Sequence, residues 1–362
     1  LAPAPETGLA ARACARALDI LAPSQGPLAV AVSGGSDSTA LLLLAHDWAT
    51  TRRRTLVAAT VDHGLRPEAA AEAEAVAALC LRLGIAHTTL RWRPEGAVSQ
   101  ADARTARHRL LALWAKSESA SSIAIGHTQD DRIETFLIRA RAGSFWHGLA
   151  GPAPRSPSPI WPEGDGLRLI RPLLGQPRAA LRQTLAALGQ GWIEDPSNAA
   201  ERYERVRMRR IAAALTHESR AAILRSMDRL AVLRAATLAG AREALGGLVE
   251  PAAAGFRLEA AGFRRLGSQI RLRLAEALVL AAGGASGPLK SDALARLVQR
   301  MEQGLGRATT LAGAKVAERG GWVAFTMAPP RRTAPGLAPE ATPSLARAAA
   351  LLDDPELAAL EG

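Results

Sequence analysis

Six consecutive residues, Ser33-Gly34-Gly35-Ser36-Asp37-Ser38, combine three hydroxyls, two adjacent glycines and one carboxylate. Paired glycines let the backbone turn with its N–H groups aimed at one spot, which is how a main chain binds an anion. Ser33, Ser36 and Ser38 add hydroxyl donors, and Asp37, expected on an exposed loop, could hold Mg²⁺ against phosphate oxygens. The stretch has no lysine, so it is not the lysine-bearing phosphate loop of the common nucleotide-binding motif. A second cluster is acidic. Asp131 and Glu134 stand i,i+3 and share a helical face, with Asp130 beside them. Acids suit a helix's first turn in any case, but next to a phosphate loop they also suit a cationic ligand, and a carboxylate there could accept a proton. A third set is basic: Arg104 and Arg107, again i,i+3, and the alternating Arg205, Arg207 and Arg209, which would suit a track along a phosphate backbone.

These residues need elements to hold them. Leu28–Val32, Leu56–Val61, His87–Trp92, Ser122–Gly126 and Leu167–Arg171 read as strands. Helical text follows them at Ser38–Trp48, Pro67–Leu83, Gln100–Lys116, Asp130–Ala142 and Arg178–Leu188. Strands alternating with helices predict parallel units with right-handed crossovers, and continuous apolar strands predict a sheet covered on both faces. The fold class is therefore α/β, a doubly wound parallel sheet. Ser33–Ser38, Asp62-His63-Gly64, Gly126–Asp131 and Arg171-Pro172 then fall at the carboxyl ends of strands, the edge where such sheets bind ligands. Gly151–Gly166 is rich in Pro, Gly and Ser and reads as an excursion. After about residue 215 the alternation stops. Arg220–Leu245, Leu258–Ala282 and Ser291–Gln303 read as helices, followed by a hairpin around Arg319-Gly320 and a linker from Pro329 to Pro343. The expected domains are 1–215, a smaller and mainly helical 216–330, and a tail, 331–362.

Composition narrows the partners. The chain has 362 residues, with 45 Lys+Arg against 34 Asp+Glu, a net charge of +11, and 42 of the 45 basic residues are arginines. Guanidinium groups bind phosphate as a fork, so the excess points to a polyanion. Two cysteines, Cys14 and Cys80, make neither a disulfide framework nor a CxxC, which predicts a reducing, cytoplasmic setting. No secretory signal and no membrane span are expected. His63 and His127 follow the second and fourth strands without zinc-ligand spacing.

SGGSDS after the first strand resembles the PP-loop of the N-type ATP pyrophosphatases. An ordered set narrows the resemblance to the tRNA(Ile)-lysidine synthetases: Val61-Asp62-His63-Gly64-Leu65-Arg66, Ala103-Arg104 with Arg107, His127-Thr128-Gln129-Asp130-Asp131 with Glu134-Thr135, Arg171-Pro172-Leu173-Leu174, and Glu194-Asp195-Pro196-Ser197-Asn198. The pattern departs at Ala142-Gly143-Ser144-Phe145, at Arg132 and at Val206. The resemblance implies an adenine nucleotide alpha hydrolase-like PP-loop domain. It also implies ATP held by Ser33 to Ser38 with Asp62 and His63, Mg²⁺ on Asp37, and lysine gripped by Asp130, Asp131 and Glu134. Arg104, Arg107, Arg205, Arg207 and Arg209 would meet tRNA, and Asp37, Asp131 and Glu134 would carry the chemistry. The implied reaction adenylates C2 of the wobble cytidine in a CAU-anticodon tRNA(Ile), after which free L-lysine displaces AMP. A homodimer is an assembly open to such a chain. The rivals are a PP-loop tRNA thiolase, an amidating synthetase and a non-catalytic RNA-binding relic. Sulfur chemistry would need reactive cysteines, and an amidating enzyme an ammonia source.

Overall fold

The computed structural model describes residues 5–64, 68–94, 99–194, 204–285, 289–329 and 343–353. By contacts, the chain groups into one unit of Leu1–Ser156 with Leu167–Leu233 and another of Pro157–Gly166 with Arg234–Asp354. Among the described residues no helix is long and apolar enough to cross a membrane.

The first unit opens with α1 (Pro5–Leu21), then β1 (Leu28–Ala31), α2 (Ser36–Arg52), β2 (Leu56–Asp62), α3 (Glu68–Arg82) and β3 (Ala86–Arg91). It continues through α4 (Gln100–Ser117), β4 (Ser122–Ala124), α5 (Gln129–Arg141), the single turn α6 (Trp146–Leu149), β5 (Arg155–Pro157) and β6 (Arg168–Ile170). Then come α7 (Arg178–Ala187), α8 (Glu204–Ala214) and α9 (His217–Leu248), and the division between the units falls within α9.

The sheet order is β3-β2-β1-β4-β6-β5. β3, β2, β1, β4 and β6 run parallel. Successive strand residues enter opposite cores, as the two-residue period requires. Leu28, Val30, Ala58, Ala124 and Ile170 pack with α1, α2, α3 and α7. Ala29, Val57, Ala59, Ile123 and Leu169 pack with Leu111, Trp114 and Ala115 of α4. This is the doubly wound α/β sheet expected from the apolar runs. From β1 the chain steps outward to β2 and β3, then crosses back to place β4 on the other side. That reversal opens a crevice between the carboxyl ends of β1 and β4.

The second unit combines helices with a five-stranded antiparallel sheet of order β7-β8-β11-β10-β9. Its elements are β7 (Val249–Ala252), β8 (Gly255–Glu259), α10 (Ala260–Arg265), α11 (Ser268–Gly283), α12 (Ser291–Gln303), β9 (Thr309–Leu311), β10 (Ala314–Arg319), β11 (Trp322–Met327) and α13 (Leu345–Leu351). The expected hairpin is β10–β11, its two-residue turn made by Gly320 and Gly321, both at positive φ. The expected helix Leu258–Ala282 divides instead. Phe256 and Leu258 are buried and Arg257 exposed, the alternation of a strand, and Gly267 starts α11 afresh. Phe256 and Phe325 stack at 6.3 Å between ring centres in a core shared with Phe263, Leu274 and Leu278. Ala348 and Leu352, within and just after α13 in the region expected as tail, join that core. Most of the linker, residues 330–342, lies outside the described residues.

Candidate active site

The SGGSDS stretch leaves β1 and becomes the first turn of α2. No side chain caps α2 at Gly35, so the helix's first N–H groups stay available to an anion. The hydroxyls brace the turn from within. Ser38 Oγ donates to the Gly35 carbonyl at 3.1 Å and lies 3.1 Å from both Ser33 N and Ser33 Oγ; Thr39 Oγ1 donates to the Gly34 carbonyl at 3.1 Å. Gly34 has φ +84°, and a side chain there would strike Ile193. A Cβ at Gly126 would lie 2.9 Å from Ser38 N and 3.0 Å from the Asp37 carbonyl carbon. Close approach at Gly126 is what brings the turn after β4, and the acids that follow it, against the phosphate loop.

Asp37 is not on an exposed loop as expected. It sits in the first turn of α2 with its side chain 18% exposed, because α7 packs across it. Its Oδ1 accepts from Ser36 Oγ at 3.1 Å and its Oδ2 from Arg178 Nε at 2.8 Å. Burial raises its pKa against the pull of Arg178.

The α5 acids have separate duties. Asp131 Oδ2 completes a capping box, accepting from Thr128 N and Thr128 Oγ1, both at 2.8 Å. Its Oδ1 accepts from Arg205 Nη2 at 2.6 Å and from Arg178 Nη2 at 3.3 Å. Glu134, 1% exposed, accepts from Arg205 Nε at 3.0 Å, Arg209 Nε at 2.9 Å and Arg178 Nη1 at 3.4 Å. Asp130 turns to other partners: Arg178 N at 2.7 Å, an orphan donor of α7's first turn, and Arg220 Nη2 at 2.6 Å. Burial alone would raise the Asp131 pKa; Arg205, His127 and Arg178 outweigh it and hold the group low. The same carboxylates, against desolvation, raise the pKa values of Arg178 and Arg205.

Arg205, Arg207 and Arg209 lie on a helix, not an extended segment, so alternate residues do not align. Arg205 and Arg209, i,i+4, face the acids and Arg207 is exposed. Val206 is buried on this helix. Arg104 and Arg107 on α4 are near Arg205, and among the described residues no carboxylate pairs with either. Desolvation, then the neighbouring arginines, lower the pKa of both. His127 Nδ1 accepts from Arg171 Nε at 3.1 Å, and burial followed by Arg171 pushes its pKa down to about 3. Asp62 and His63 occupy the carboxyl end of β2. Asp62 Oδ1 accepts from Gly64 N at 2.9 Å, and the His63 ring meets Trp92 edge-on at 6.1 Å. Leu65-Arg66 and Asp195-Pro196-Ser197-Asn198 lie outside the described residues. Arg132, one of the departures from the expected pattern, is buried and pairs with Asp228 of α9. Phe145 is exposed at the start of α6.

Sequence reasoning missed Arg178 and Arg220. Arg178 had a signal: it opens the helix after the fifth expected strand, and a residue there returns to the same carboxyl edge. Arg220 had none, since its role depends on where α9 packs.

A doubly wound sheet with this loop at its crossover defines a PP-loop domain, and the PP-loop domain family matches residues 10–215. The chain is 45% identical over 303 residues to the tRNA(Ile)-lysidine synthase of Hyphomonas neptunium, covering 81% of this chain and 79% of that protein. To the enzyme of the same name from Methylobacterium nodulans it is 41% identical over 323 residues, covering 85% and 92%. It belongs to the tRNA(Ile)-lysidine synthase family. Among solved structures, the U34-tRNA thiolase NcsA from Methanococcus maripaludis shares the fold, with a TM-score of 0.52 at 19% identity over 62% of this chain and 78% of that one.

Proposed function

We infer that the protein is an ATP-dependent ligase that joins free lysine to C2 of the wobble cytidine in CAU-anticodon tRNA(Ile), forming lysidine. Cytidine O2 attacks the α-phosphorus of ATP and pyrophosphate leaves. The lysine ε-amine then attacks C2 and expels AMP. Both substrates other than lysine are highly anionic, in keeping with the net charge of +11. A reaction consuming ATP and tRNA fits the cytoplasm.

One observation carries this reading. The Arg178 guanidinium touches Asp37 on the phosphate loop at 2.8 Å and Asp131 and Glu134 on α5 at 3.3 and 3.4 Å. A single cationic group therefore spans the loop that would take ATP and the acids that would take lysine, so the two reactants of the second step can meet. Arg178, Arg205 and Arg209 act as placeholder cations, and the lysine ammonium groups exchange with them at Asp131 and Glu134. Asp131, held low, binds an ammonium better than it removes its proton.

The donor set fits Mg²⁺ only as an ion shared with phosphate. Asp37 offers a hard oxygen at the loop, and among the described residues no group of three or more His, Cys, Asp or Glu is placed to hold a metal. Bound by Asp37, the ion would neutralise phosphate charge. Arg104 and Arg107, with Arg207, would meet the tRNA backbone. A thiolase reading has no support from the cysteines. Both are buried, and burial pushes the Cys14 thiol up to about 12 and Cys80 up to about 11, which leaves neither as a thiolate nucleophile.

Incubation with ATP, labelled lysine and total tRNA tests the reading. Label should enter one CAU-anticodon tRNA(Ile) with one AMP and one pyrophosphate released. Label in other tRNAs, or none, would overturn it.

A further inference from the structure

We propose that Arg178 and Arg182, one turn apart on α7, hold the β- and γ-phosphates of ATP and neutralise pyrophosphate as it departs. The inference rests on the ATP reading above and adds side-chain cations to the single metal ion of that reading. Ser33 to Ser38 contains no Lys or Arg, and α2 carries no basic residue before His46. A helix N-terminus contributes only about half a positive charge, and with one shared Mg²⁺ the roughly four negative charges of a triphosphate are still not fully compensated, so further cations must reach the loop from another element.

α7 is placed to supply them. Residues i and i+4 share a helical face, and both arginines on that face reach the loop. Arg178 Nε is 2.8 Å from Asp37 Oδ2, and Arg182 Nε is 3.5 Å from Ser36 Oγ. Arg182 is also positioned from the outside. Its guanidinium lies 5.5 Å from the Trp192 ring centre, and its Nη2 pairs with Glu194 at 3.0 Å, a carboxylate that also accepts from Trp192 Nε1 at 2.8 Å. The next residue, Ile193, is bound to the loop itself, its N–H donating to the Gly34 carbonyl at 2.9 Å. Segment 192–194 therefore ties Arg182 to the phosphate loop, while its side chain stays 44% exposed and open to a ligand.

When cytidine O2 attacks the α-phosphorus, the bond from that phosphorus to the α,β-bridging oxygen breaks. The electron pair stays on that oxygen, so the new charge appears on pyrophosphate. Two guanidinium forks at the loop meet that charge where it develops, and Arg178 leaves its carboxylates to do so.

The test measures binding of pyrophosphate and of AMP to the full chain, with Mg²⁺ present. Arg182→Ala should weaken pyrophosphate about tenfold while AMP stays within about twofold, because only pyrophosphate offers the phosphates concerned. Arg182→Lys should recover part of the loss. Pyrophosphate should also perturb the fluorescence of Trp192 as Arg182 shifts, a signal absent from Trp192→Phe. Arg178→Gln should act in the same direction; if it fails to fold, the exposed Arg182 decides alone. Unchanged pyrophosphate affinity in Arg182→Ala, or equal weakening of pyrophosphate and AMP, overturns the proposal. If the unmodified protein binds neither ATP nor pyrophosphate, the ATP reading falls first and this inference with it.

Discussion

On α5, Asp131 and Glu134 are almost closed to solvent, and each meets at least two guanidinium groups. On α4, the exposed Arg104 and half-buried Arg107 lie near Arg205, and among the described residues no acid pairs with either. The two groups differ in what a ligand must do. At the acids an incoming cation would have to exchange, since charge is already compensated, and selectivity would come from the geometry of that exchange. At the α4 arginines an anion would enter by relief, since neither Arg104 nor Arg107 has a carboxylate partner among the described residues. A paired acid site suits a small dibasic ligand, and an unpaired basic site suits phosphate.

The largest effect should come where the compensated side meets the phosphate loop. Asp37→Asn is expected to cut pyrophosphate release by roughly a thousandfold, the loss of the charge proposed to face the metal at a phosphoryl centre. The fold should survive. Burial already penalises the charged form of Asp37, and asparagine can keep the hydrogen bonds to Ser36 and Arg178. Thermal melting and pyrophosphate release separate the two quantities, and near-normal turnover would remove the metal role.

Next is Glu134→Gln. Three arginines lean on this carboxylate at 1% exposure, so neutralising it breaks a buried network and should cost roughly 3 kcal/mol of stability. The lysine requirement should rise about a hundredfold with the ATP requirement nearly unchanged, because charge-assisted bonds to the dibasic ligand are lost. Adenylated tRNA should accumulate. Lost ATP affinity with normal lysine dependence would move Glu134 to the phosphate site and erase the contrast between the two sides.

How far this could be read from the chain follows from range. Most of the sheet was legible because its central strands are apolar runs with punctuation, Leu28–Ala31 ending in Ser33-Gly34-Gly35 and Leu56–Asp62 ending in His63-Gly64, whereas the edge strand Arg155–Pro157 carries no apolar run and lay hidden in the stretch read as an excursion. The carboxyl-edge location of Asp37, Asp131 and Glu134 followed from that alternation alone. The partners of those acids did not. Arg178 is 141 residues from Asp37, and Arg220 is 90 from Asp130, so only tertiary packing reveals the pairs. The alternating arginines misled for a local reason. Spacing of two implies one face only in a strand, and residues 204–214 are a helix. In the second unit, β7 and β8 were hidden because Pro251 and a short alanine run obscure the alternation that Phe256 and Leu258 carry.

A smaller effect tests the other side. Arg104→Ala and Arg107→Ala should each weaken tRNA binding about tenfold and lower the salt slope by about one ion. Each should also raise the melting temperature, more so for the half-buried Arg107, since removing one of two crowded cations relieves repulsion. Affinity falling while stability rises is the signature of an uncompensated site. A fall in both would show a counter-charge and give these arginines the same character as the α5 network.

The smallest effect is a titration. His108 follows Arg107 on α4 and is buried; burial first, then Arg107, Arg104 and Arg171, push its pKa down to about 4 from an ordinary 6.5. The folded state therefore holds the ring neutral where the unfolded chain would protonate it. Between pH 6.5 and 4 the unfolded state binds more protons, so stability rises with pH across that window. This contribution is fully present above the unfolded value and is lost as pH falls toward the folded one. His108→Gln should flatten the pH dependence of urea unfolding in that window and leave it unchanged near pH 8. In the Arg104→Ala, Arg107→Ala double variant, the His108 pKa followed by NMR should move back up, because part of the positive field is gone. If it stays near 4, burial alone sets it, and the field ascribed to the α4 arginines is too weak to hold a phosphate.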